Sequence, residues 1–313
     1  QLGSENIAQP GRTAFRVDAF EAETVTELLR ADSLREVREG STIAFRHDVL
    51  RDWTLGFLFD EEEVQASTLA TDQPVPGAIA RGLEIAARLA LESDKTGAKW
   101  LALLNRFEGA HGTWRRPILL ALPRSERAVQ YLQSLKPALL ADKGQRLGEI
   151  LRLVMAVEVE PLATLSAREQ PGVALPAGAD SFLVPKGPSW SRLTMWLVAH
   201  KDELPTALVP EMSKFFQAWL MIAQNGATVR PLNAAIVEVI SDWLIRVEDE
   251  LRPGSWKEEE GQQAARLDFP HKTDVRDDLR ITMFSFCHLN PAIAEKYLKQ
   301  LDPKFVRHHE AEF

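Results

Sequence analysis

The chain has 313 residues, of which 45% are hydrophobic and 26% charged, a balance that suits a packed fold and excludes a disordered one. A formal net charge of -8 disfavours general affinity for nucleic acid phosphates or for an anionic membrane. The single cysteine, Cys287, rules out an internal disulfide and points to a reducing compartment; with no apolar run of transmembrane length and no signal-peptide pattern, a cytoplasmic location is expected.

Residues 1 to 17 read as a loop broken by Pro10 and Gly11. Asp18 followed by Glu21 fits a capping box ahead of "AFEAETVTELLRA", a helix that turns Phe20, Val25, Leu28 and Leu29 toward a core. "LREV" and "TIAF", separated by Arg38-Glu39-Gly40-Ser41, read as a β-hairpin with Gly40 in the turn. The hairpin runs into "RHDVLRDWTLGFLF", a charged cluster and then an apolar helix. Helix, hairpin and helix form the second half of a winged-helix unit, assigned to residues 1–62.

From residue 63 to 313 the pattern is helical, with helices predicted over 77–92, 96–108, 113–122, 125–141, 144–158, 189–201, 205–225, 229–251, 275–288 and 291–301. Two long connections, 159–188 and 252–274, are the kind that carry function or motion. "TWRRPILLALPRSERAVQYL" from Thr113 and "SWSRLTMWLVAHKDELPTAL" from Ser189 echo each other at an offset of 76 residues. That is close to two units of roughly 40 residues in HEAT or armadillo arrays. "AVQYLQSL" at Ala128 against "AEKYLKQL" at Ala294 is a third, weaker echo. The expected fold class is therefore mostly α, a partial winged helix followed by a HEAT/armadillo-like helical-repeat array.

His47-Asp48 admits three chemistries. A metal site of the HD phosphohydrolase kind needs an upstream histidine, and His47 is the first in the chain, so that set is incomplete and no metal is expected. A helix start accounts for Asp48, which suits the positive end of the helix dipole, but leaves His47 unexplained. A surface or half-buried His47 with a backbone partner is the plain alternative.

"FRHDVLRDWTLGFLF" resembles the end of the winged-helix domain in STAND NTPases, the group that includes plant NLR resistance proteins, the NB-ARC family and prokaryotic immune NTPases. Their pattern is an apolar strand, Met-His-Asp, an apolar pair, a basic residue and an acid. Here Arg46 replaces the Met, His47 and Asp48 match, Val49 and Leu50 fill the apolar pair, and Arg51 and Asp52 match the trailing charges. The resemblance covers residues 15 to 60, and it implies that His47 senses the β-phosphate of bound ADP while Asp48 supports the loop and helix start.

On that resemblance the chain is a regulatory and sensor segment of an NTPase with ADP or ATP and Mg bound elsewhere in the full-length protein. The implied setting is prokaryotic antiviral (anti-phage) defence. The implied partners are the protein's own NTPase domain, a protein trigger such as a phage protein, and further copies in an oligomer. No G-x-x-x-x-G-K-[ST] loop occurs, so no cofactor and no enzymatic activity are expected of this segment itself. The start at Gln1 and the stop at "KFVRHHEAEF" fit a piece of a longer chain. The alternative function is a constitutive HEAT-like protein–protein interaction scaffold without a nucleotide link.

Direct nucleic acid binding is not expected. The candidate recognition helix carries Glu21, Glu23 and Glu27 against one terminal Arg30, and carboxylates repel phosphates. Of the eight tryptophans, most fall in apolar helical patterns and are expected in the core. Trp256, in "RPGSWKEEE", is the candidate partner contact. Cys287-His288 read as core and helix end, "TDVRDDLR" as an ion-paired helix start, "DEEEV" and "KEEEG" as solvated charge, and His308-His309 as surface residues.

Overall fold

The structure, a computed structural model, describes residues 14–62, 64, 66–169, 182–223, 229–251 and 267–300. It is mostly helical, with two small antiparallel sheets. The chain divides into two compact units, residues 1–135 and 136–313, so the boundary expected near 62 falls inside the first.

The first unit opens with β1 (Phe15–Arg16), a 3-10 turn (Val17–Ala19), α1 (Ala22–Arg30), β2 (Leu34–Arg38), β3 (Thr42–Phe45) and α2 (Asp48–Asp60). The sheet has the order β1-β3-β2, with Phe15 opposite Ile43 and Leu34 opposite Phe45. Gly40 sits at φ +61°, the left-handed turn geometry that a residue without Cβ adopts freely. Alternation along the strands sends Phe15, Leu34 and Ile43 to one side, where they meet Val25 of α1, with Phe20, Leu28 and Leu29 packed around them.

Two local expectations change. The stretch read as loop contains β1, too short to leave a period in the sequence. The residue that caps α1 is Glu21, with no side-chain cap bond, while the Asp18 carboxylate is taken by Arg16 at 3.0 Å, so the Asp18/Glu21 box does not form.

α3 (Gly77–Ser93), α4 (Ala98–Arg106), α5 (Gly112–Arg124) and α6 (Ala128–Ser134) complete the unit. Asp52 meets Arg81, and Gly56 meets first Gly82 and then Ile85, so α2 and α3 run in the same direction. They pack closely where Gly56 faces Gly82. A Cβ on Gly82 would stand 2.6 Å from the Leu55 Cβ, and one on Gly56 2.5 Å from the Ile85 Cγ2. Arg106 of α4 donates to the Phe59 carbonyl at 2.7 Å, and the indole of Trp100 donates to the Ile118 carbonyl at 2.8 Å, tying α4 to α2 and to α5.

The second unit holds α7 (Lys136–Val157), β4 (Val159–Pro161), α8 (Leu162–Glu169), β5 (Leu183–Pro185), α9 (Pro188–Ala199), α10 (Val209–Ala223), α11 (Arg230–Leu251), α12 (Lys272–Phe286) and α13 (Pro291–Gln300). α7 is broken at Ala141–Gly144, where Asp142, Lys143 and Gly144 all have positive φ. The helix predicted over 125–141 is thus two pieces, α6 and the head of α7. The connection predicted over 159–188 contains β4, α8 and β5; its residues 170–181, like 252–266 of the other long connection, lie outside the described residues. Glu160 is buried in β4 and held by Arg168 at 3.0 Å and Lys186 at 3.6 Å. Tyr297 of α13 is buried against Glu248 of α11, which also accepts from Arg280 at 2.6 Å; burial, then the Glu248 charge, pushes the phenol up to about 12.

The two echoed segments behave alike. Trp114 and Trp190 each stand in the first turn of a helix, buried, with the indole N–H donating to the carbonyl of a preceding connection: Gln73 at 2.8 Å, Glu158 at 2.6 Å. Each ring also stacks on a phenylalanine, Phe107 at 5.5 Å and Phe215 at 4.4 Å. Tyr131 and Tyr297, the matched residues of the weaker echo, are both buried with bonded hydroxyls.

Candidate functional site

β3 ends at Phe45, and the next two residues turn the chain into α2. Arg46 is anchored from behind: its N–H donates to the Ser33 carbonyl at 2.9 Å and its guanidinium lies 3.5 Å from Asp32. His47 has extended backbone, φ -134° and ψ 144°, and caps α2 with its carbonyl, which accepts from the Leu50 N–H at 3.1 Å. Its ring makes no cap bond, is exposed, and has no hydrogen-bond partner among the described residues. The backbone-partnered histidine therefore gives way to an open one. An imidazole at the N-terminal end of a helix, where dipole and unpaired N–H groups favour negative charge, is placed to donate to an anion.

Asp48 occupies the first turn of α2, as expected from dipole complementarity, and pairs with Arg51 at 3.1 Å while staying 76% exposed. Asp52 is the residue that sequence reasoning underrated. Read only as a trailing charge, it is 6% exposed and accepts from Arg51 at 3.0 Å and from Arg81 of α3 at 3.5 Å. The signal was present: positions 52, 55, 56 and 59 share the buried stripe of α2, and Asp52 is its one charged member.

The adjoining edge of α2 is apolar and open, with Val49, Trp53 and Phe57 exposed in a row. At the far end of the helix a cavity of about 270 Å³ is lined by Asp60, Glu61, Glu62, Lys99, Leu103 and Arg106. Burial raises the Asp60 carboxyl and lowers the Arg106 guanidinium. Its lining carries both signs of charge and so selects neither anions nor cations.

Trp256 and His308-His309 fall outside the described residues. Cys287 begins a 3-10 turn after α12, half-buried, its thiol donating to the Phe284 carbonyl at 3.4 Å, and among the described residues it pairs with no base. Among the described residues no three His, Cys, Asp or Glu side chains are grouped as a metal site requires, and no helix is long and apolar enough to cross a membrane.

Compared with known proteins, the chain matches no family model, and no curated protein is significantly similar to it.

Proposed function

We propose that this chain is the regulatory and sensor part of a STAND-type nucleotide switch. In this reading β1–β3 with α1 and α2 are the end of a winged helix, and the helices from α3 onward are a HEAT-like sensor. His47 donates to the β-phosphate of ADP held by the protein's own NTPase domain, and Asp48 steadies the loop through Arg51. A protein trigger from a phage binds the helical part and favours the open state, in which copies oligomerise in the cytoplasm and an effector acts. The trigger must prefer the open state, since equal affinity for both shifts nothing.

One observation carries the reading: an exposed imidazole with no partner of its own stands at the head of α2, directly behind a small sheet, in the surroundings an anion favours. A constitutive scaffold gives that histidine no task. The test is His47→Ala in the full-length protein. The switch reading expects activity without a trigger, because the closed state loses a charge-assisted hydrogen bond of about 1.5–3 kcal/mol. A variant as silent as the wild type supports the scaffold instead.

A further inference from the structure

A second surface of α2 has no role in that proposal. Val49, Trp53 and Phe57 recur every four residues and are 62%, 44% and 50% exposed. The Trp53 and Phe57 rings lie 5.8 Å apart, in contact with each other along the row. The row is about 12 Å long at 1.5 Å per residue, two turns of helix and one side chain wide. Single exposed apolar residues need no explanation, but a continuous row marks a contact face.

The edge of this row is basic. α3 lies alongside because Gly56 and Gly82 let the two backbones close up, and it brings Ile85 against Gly56. Arg81, Ile85 and Arg88 share one face of α3 by their spacing. The Arg81 side chain is 67% exposed, and its acceptor Asp52, at 3.5 Å, is already held by Arg51 at 3.0 Å. Arg88 is exposed and has no partner among the described residues. The surface therefore combines an apolar ridge of helical pitch with two cationic groups, Arg81 and Arg88, two helical turns apart along one side.

We infer that the α2–α3 face binds an amphipathic α-helix of another protein, with apolar residues at four-residue spacing and carboxylates along the edge that meets Arg81 and Arg88. A helix is the form whose i and i+4 side chains interdigitate with Val49, Trp53 and Phe57. The acidic edge follows from charge complementarity, which sets partner choice and register more than raw affinity. A second copy of the chain would have to bring arginines against arginines wherever two such faces met in parallel register. This inference stands apart from the diphosphate reading of His47, and neither depends on the other.

The test uses the purified chain and two fluorescent 16-residue helical peptides (~24 Å long, enough to overreach the row) with identical leucine faces, one edged with glutamate and one with lysine. Fluorescence anisotropy should show the glutamate peptide binding at least about tenfold more tightly at low salt, with the preference shrinking as salt is added. Phe57→Ser should weaken it by about tenfold. Arg88→Glu, at an exposed position that leaves the fold alone, should reverse the preference between the peptides. Equal binding of both peptides, binding of neither, or a preference untouched by Arg88→Glu overturns the inference. So does a concentration-dependent dimer in sedimentation that Phe57→Ser abolishes, since the face would then belong to a second copy.

Discussion

Asp48 and Asp52 are the same side chain four residues apart, in opposite surroundings. Asp48 is 76% exposed and shares Arg51 with water, whereas the Asp52 side chain is 8% exposed between Arg51 and Arg81. Solvent screens the first pair, so Asp48→Asn should change stability by less than about 0.5 kcal/mol. Asp52→Asn leaves the two guanidinium groups facing a neutral amide at a buried contact and should cost about 2 kcal/mol. Urea unfolding of both variants checks this, and equal losses would contradict the assignment. His47 differs from both, because its ring has nothing to lose within these residues. His47→Ala should leave stability of the isolated chain unchanged, so its effect in the full-length protein reads out function and not folding.

The contact between α2 and α3 makes the element-scale argument. Each glycine at the crossing costs helix propensity of up to about 1 kcal/mol relative to alanine, so an alanine there would stabilise an isolated helix. Here the Cβ of Gly82→Ala would fall 2.6 Å from the Leu55 Cβ and 3.3 Å from the Leu55 carbonyl carbon, which is backbone and cannot swing aside. Overpacking therefore wins: Gly82→Ala should lose about 2 kcal/mol net in chemical denaturation, and a stabilised variant would show that the crossing is looser than this geometry. Neither glycine's role was legible in the sequence, since each matters only through a helix distant in the chain. What was legible is local. Period 3.6 located the longer helices to within a few residues, and Gly40 with its flanking apolar runs located the hairpin. The misses are non-local or too short to show a clear period: β1 against β3, β4 against β5, the two-turn α8, and the positive-φ break at Asp142–Gly144. At the candidate site the histidine and the first-turn aspartate could be read directly from "RHD". The buried Asp52 required the stripe of α2 to be followed onto its inner face.

At the scale of the whole molecule, the change of pattern near residue 62 falls inside the first compact unit, for a physical reason. The small sheet buries few side chains, chiefly Phe15, Val25, Leu34 and Ile43, and a sheet of that size with one helix is marginal alone. α2 supplies the rest by burying Leu55 and Phe59 against the helices that follow, where Leu83, Trp100, Trp114 and Tyr131 form a larger core. The first unit then reaches 135 residues, within the usual size of a domain. It ends cleanly, because α6 stops at Ser134 and the Leu135 N–H closes the helix on the Tyr131 carbonyl at 2.8 Å. A chain ending at Leu135 should therefore unfold in one cooperative step, with the near-UV circular dichroism of buried Trp100 and Trp114 lost in the same transition as the helical signal. A chain ending after Glu62 should show no such transition, since Leu55 and Phe59 would be stripped of their partners. Cooperative melting of the shorter chain, or gradual melting of the longer one, would move the boundary back toward residue 62.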